Sequence, residues 1–229
     1  MKARLLLAIG LIAVAAFATP IPNVLGTGVT VTNTPLITAQ SGANVLDPRF
    51  SVTGPGPFLY TPVTYNVLGT YFTETSTGPN RWISAFTFNA AFPSTAASAP
   101  GVYAFSYTFD MTGLNPSSAV INGRWGTDNC GEIWLNGLYT GVSIGGGNTT
   151  CNTAMTNFTS LTAFSLNNAN SQFGDGPNTI EFRVYNEGGP VGLMVTNVEA
   201  NAHETPEAGT YALVGTALDV LGSYRIHRR

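Results

Sequence analysis

The chain has 229 residues, of which 44% are hydrophobic, 11% aromatic and only 9% charged, against about 25% charged in an ordinary globular domain. So apolar a chain can build a core, which excludes disorder driven by charge. Residues 19–203 carry four arginines (Arg49, Arg81, Arg124, Arg183), no lysine and nine carboxylates, so the clustered cations of a nucleic-acid groove are missing and no nucleic-acid partner is expected.

The N-terminus reads as an export signal over residues 1–18. Lys2 and Arg4 form a short positive region, Leu5–Ala16 an apolar run, and Ala16-Phe17-Ala18 a small-residue cleavage site before Thr19. About twelve apolar residues are too few for a span, which needs roughly 20. Signal peptidase is therefore an expected processing partner, and both predicted helices of the chain are terminal: this one and an apolar one in the tail.

Between them, short runs rich in Val, Ile, Thr, Phe and Tyr alternate with Gly, Pro, Asn and Ser clusters, the pattern of an all-β, antiparallel sandwich. Val29–Thr32, Phe58–Tyr65 and Val67–Phe72 are the weaker strands, since prolines interrupt or adjoin them. Trp82–Phe88 follows, then a Pro- and Ser-containing loop at 93–100. In residues 101–110, Tyr103, Phe105, Tyr107 and Phe109 fall on one face and Ala104, Ser106 and Thr108 on the other, so one face is expected to be buried. Ala119–Trp125, Glu132–Leu135, Thr179–Tyr185 and Gly192–Val198 complete the predicted strands. Asn136-Gly137 marks a tight hairpin because both residues tolerate positive φ. Residues 141–157 read as a long polar loop. The two cysteines, Cys130 and Cys151, are expected to form a disulfide in an oxidising compartment, stapling that loop.

Residues 204–229 form the tail. Pro206-Glu207-Ala208 precedes the apolar segment Gly209–Gly222, and Arg225, Arg228 and Arg229 close the chain. This order resembles the PEP-CTERM sorting signal of exopolysaccharide-producing Gram-negative bacteria, with Ala208 in place of the second proline and Asp219 inside the apolar run. The resemblance implies an exosortase-like processing partner, transient inner-membrane anchoring through the tail, and a final location at the cell surface or in the extracellular matrix.

A second resemblance covers roughly residues 100–202. Gly123–Asn129, Ile133–Gly137, Gly176–Val184 and Asn186–Leu193 look like the galactose-binding-like jelly-roll module. It implies a scaffold at 100–203, with 19–99 adding N-terminal strands to the sandwich. Such modules bind glycans, bind other ligands, or do neither.

Chemistry is sparse. The two histidines, His203 and His227, lie outside the strand-rich region, so a nucleophile there has no imidazole base and a zinc site lacks ligands. Asp110, Asp128, Glu132, Asp175, Glu181 and Glu187 are candidate carboxylates, yet no spacing singles out a glycosidase pair. Asp128, Asn129 and Asp175 are oxygen donors in turns that a calcium ion would accept, with turn capping as the plainer role. Neither cofactor nor metal is expected.

The candidate ligand site rests on strand parity. If Ile133 and Leu135 face the core, Trp134 stands outward between Glu132 and Asn136: an apolar platform for sugar C–H groups beside two hydrogen-bonding side chains. Tyr139 and Tyr185 extend that surface if their strands are neighbours. The alternative places Trp134 in the core and moves the site to end loops around Asp128 and Asp175. The functional expectation is an exported, non-catalytic envelope or matrix protein, with a glycan such as exopolysaccharide as its candidate ligand. The alternatives are a purely structural or adhesive surface protein and a divergent glycoside hydrolase.

Overall fold

The computed structural model describes residues 17–30, 32, 45–55, 59–60, 63–65, 80–85, 99–146, 151 and 157–205. All but the last two residues of the export segment, all but the first two of the sorting tail, the Val67–Phe72 strand and most of the 93–100 loop lie outside these residues.

The strands in chain order are β1 (Ala18–Pro20), β2 (Val45–Leu46), β3 (Ser51–Thr53), β4 (Leu59–Tyr60), β5 (Val63–Tyr65), β6 (Trp82–Ser84), β7 (Gly101–Asp110), β8 (Val120–Asp128), β9 (Cys130–Leu135), β10 (Leu138–Ile144), β11 (Thr162–Asn167), β12 (Pro177–Asn186) and β13 (Gly192–His203). They pair antiparallel into two sheets. One runs β11-β8-β13-β6-β5-β2, with β1 added on β13; the other runs β10-β9-β12-β7-β3-β4. The fold is an antiparallel β-sandwich.

Alternation along the strands explains the layering. Tyr103, Phe105, Tyr107 and Phe109 of β7 turn inward, as do Ile133 and Leu135 of β9 and Ile180, Phe182 and Val184 of β12. They meet Ile121 and Trp125 of β8, Phe164 and Leu166 of β11, and Leu193 and Val195 of β13 from the other sheet. Burying each such side chain contributes about 1.5–3 kcal/mol. Phe182 sits at the centre, with Trp125 at 5.9 Å and Phe164 at 6.2 Å between ring centroids.

Several boundaries differ from expectation. Residues 141–144 belong to β10, not to a loop, because the Asn136-Gly137 turn (φ 51° and 78°) needs a return strand to pair with β9. β11 carries no strong sequence signal: its inward Phe164 and Leu166 are flanked by Ser and Asn. β13 continues five residues past Val198, through a bulge between Thr196 and Glu199 where Asn197 takes φ 50°, so His203 ends a strand and does not lie outside the strand-rich region. Phe58–Tyr65 divides between the sheets, β4 pairing with β3 and β5 with β6.

Two devices fasten the periphery. Cys130 and Cys151 are joined, with Cα atoms 5.6 Å apart. Asp47, fully buried, accepts hydrogen bonds from the Gly28 and Arg49 amides and pairs with the Arg49 guanidinium at 3.6 Å. Burial pushes its carboxyl above the usual range, against the pull of Arg49.

Candidate functional site

With Ile133 and Leu135 in the core, β9 presents Glu132 and Trp134 to the outer face of the six-stranded sheet. Cross-strand register decides their neighbours. Trp134 lies opposite Glu181 on β12 and Tyr139 on β10; Glu132 lies opposite Arg183; Cys130 lies opposite Tyr185. Since Phe182 and Val184 point inward, Glu181, Arg183 and Tyr185 share the outer face with Trp134.

These side chains form one network. Trp134 Nε1 and the Tyr185 hydroxyl both donate to Glu132 Oε2, each at 3.0 Å. The Arg183 guanidinium stacks on the Trp134 ring, its Cζ 3.6 Å from the centroid, and its Nε pairs with Glu181 Oε1. Such a stack is worth about 0.5–1 kcal/mol at a partly exposed site. On the β10 side, Tyr139 lies 5.8 Å from Trp134 between ring centroids. Glu132 is 1% exposed, so it holds the indole from beneath and offers no surface of its own. Burial, and then the bond and charge of Glu132, push the Tyr185 phenol up to about 12.

Beside this network is a shallow depression of about 580 Å³ lined by Thr53, Val102, Ala104, Trp134, Glu181, Arg183 and Tyr185. Thr53 of β3 and Val102 and Ala104 of β7 border it on one strand pair, and the Arg183–Trp134 stack borders it from β12 and β9. A smaller hollow of about 240 Å³ lies against Leu138, Tyr139 and the 168–172 turn. Leu138 is 48% and Tyr139 44% exposed.

The other sequence candidates do not join them. Asn136 has φ 51° in the β9–β10 turn. Its amide donates to Gln172 O and Asn178 Oδ1, and its oxygen accepts from the Thr179 amide, so its capacity is spent on the turn. Asp128 is buried at the end of β8 and accepts from Asn129 Nδ2 at 2.9 Å. Asn129 in turn binds the backbone of Tyr185 and Glu187. Asp175 is exposed just before β12, so about ten residues of strand, roughly 30 Å, separate it from the Asp128–Asn129 pair. The three donors do not converge on one cation. Among the described residues no cluster of three His, Cys, Asp or Glu side chains could hold a metal ion. Arg183 was not among the sequence candidates, and Glu181 was named only as a candidate carboxylate; their apposition to Trp134 and Glu132 depends on pairing that no local pattern encodes.

No family model matches the chain, and no curated protein matches it. Among solved structures it is similar to a Stig cyclase, FisC, from Fischerella sp. TAU in complex with (3Z)-3-(1-methyl-2-pyrrolidinylidene)-3H-indole, at 12% identity and a TM-score of 0.46, covering 83% of this chain and 100% of that one. The enzymatically active domain of bacteriophage CBA120 tailspike protein 4 matches at 16% identity and 0.36, over 68% of this chain and 19% of its own. The module CBM35 from Paenibacillus barcinonensis matches at 13% and 0.32, over 68% and 98%. These likenesses are too loose to assign an activity.

Proposed function

We propose that this is an exported, non-catalytic envelope or matrix protein that binds glycan on the outer face of its six-stranded sheet. The observation carrying this reading is the fixed Trp134, bonded to buried Glu132 and bordering a depression lined by hydroxyls, an Arg–Glu pair and aliphatic side chains. Sugar rings suit such a surface: ring C–H groups pack on aromatic and aliphatic area, and hydroxyls bond the polar rim. The scaffold is read as a galactose-binding-like jelly roll. Export is supported by the residue 1–18 pattern and by a disulfide, which persists in oxidising compartments. Peptides ending near Glu207 in protein recovered from the envelope would carry the sorting half; an intact Arg229 terminus there would remove it.

A non-catalytic role fits the two carboxylates around Trp134, because Glu132 is sealed under Trp134 and Tyr185, and Glu181 is engaged by Arg183. A second reading, a structural surface protein without a ligand, draws on the Arg183 stack, which covers part of the indole. Polysaccharide pull-down with wild type, Trp134→Ala and Arg183→Ala separates the two. Lost binding with a melting temperature near that of wild type supports the glycan site. A melting drop with binding retained, or no binding by wild type, makes the network structural.

A further inference from the structure

The two hollows lie on either side of the Trp134–Tyr139 pair. Trp134 lines the larger one and Tyr139 the smaller, and the two rings are 5.8 Å apart between centroids. The larger touches β3, β7, β12 and β9, and the smaller lies at the β10 edge of the same sheet, against the turn that follows β11 of the other sheet, so together they span β3 to β10. Four interstrand steps of about 4.8 Å give a path of roughly 19 Å, longer than a mono- or disaccharide.

Polar groups without partners among the described residues are present at both ends of this path. In the larger hollow, the Arg183 terminal NH2 groups have no acceptor among the described residues, its Nε being held by Glu181. In the smaller hollow, the Asn168 and Gln172 side-chain amides have no hydrogen-bond partner among the described residues, while the Asn170 amide is used internally. The smaller hollow contains no charged side chain. In the larger one Arg183 and Glu181 cancel, and Glu132 beneath adds negative charge. An anionic chain would meet no net positive field here, since residues 19–203 are acidic overall.

Resting on the glycan reading above, we propose that the ligand is a neutral, linear polysaccharide laid across the strands. It is gripped on both sides of the Trp134–Tyr139 ridge, with the Arg183–Glu181 pair at one end and Asn168 and Gln172 at the other. One ring fills one hollow; only a chain reaches both.

Titration calorimetry of the full exported protein tests this. The probes are neutral cello-, malto-, xylo- and manno-oligosaccharides from disaccharide to octasaccharide, with oligo-uronates as the charged comparison. For the series that binds, affinity should rise with length by at least roughly tenfold, the expectation for adding two or more hydrogen-bonded contacts, and then level off. It should change little with added salt, and the doubly substituted Asn168→Ala/Gln172→Ala protein should lose the length dependence. Equal affinity for the shortest and longest members would overturn the two-hollow path while leaving glycan binding intact. Preference for oligo-uronates, with affinity collapsing in salt, would overturn the neutral-chain assignment. If no series binds, the glycan reading falls as well.

Discussion

Glu132 is a carboxylate in the outer layer of a sheet that nonetheless has almost no contact with water. Two donors, Trp134 Nε1 and the Tyr185 hydroxyl, share one of its oxygens, and a hydrogen bond to a charged group contributes about 1.5–3 kcal/mol. Tyr185→Phe should therefore cost about 2 kcal/mol at neutral pH. The alkaline behaviour follows from the phenol being raised from 10.0 to about 12. Its protonated form is the one favoured by folding, so this stabilisation is complete below pH 10 and is lost as pH rises through about 12. Melting temperatures of wild type and Tyr185→Phe should converge across that interval. Curves that stay parallel from neutral pH to beyond it would show that Tyr185 is not the titrating group. Parity put Glu132 and Trp134 on one shared face, but left open whether that face was the outer one or the core. It could not show that Tyr185 and Arg183 would arrive there from β12, because register between distant strands is set by the packed core and not by neighbours in sequence.

Among elements, legibility tracked the strength of alternation. β7 was readable because four aromatic residues repeat with period two, and all four are buried. β9, β12 and most of β8 were readable for the same reason. β10 was half visible: its hairpin turn was clear, but Gly141 and the bulge between Tyr139 and Ser143 break the pattern that would have extended it. β11 was invisible, since an edge strand with one buried face needs only Phe164 and Leu166 to hold it. β1, β2 and β3 have two or three residues each, below the length at which periodicity means anything. Asn136 shows how a site residue can be misassigned: its amide looks ideal for a sugar hydroxyl, yet it sits in a turn at positive φ and three hydrogen bonds tie its side chain to residues 172–179.

For the whole molecule, the disulfide is the one covalent cross-link between the described strands and the loop beyond β10. Cys130 is buried and lies opposite Tyr185, so the link meets the sheet directly across from a member of the Glu132 network. Closing a loop of about 20 residues should stabilise the fold by roughly 3 kcal/mol, chiefly by restricting the unfolded chain. Reduction under native conditions should therefore lower the denaturation midpoint while leaving the β-rich circular dichroism spectrum in place. An unchanged midpoint after confirmed reduction would show that the loop is held by packing alone.

The path of β13 has a mechanical consequence. Its twelve residues lie between β8 on one side and β6 and β1 on the other, and Thr205 just beyond donates to Gly113 O through both amide and hydroxyl. Tension on the chain beyond Thr205 acts along the axis of an interior strand, so it first meets the Gly113 latch and then loads the β13–β8 ladder in shear, many hydrogen bonds together. An edge strand pulled from its end would instead unzip one rung at a time. A sandwich tethered through this terminus and holding a polymer on its opposite sheet would transmit force across its core before either sheet came apart.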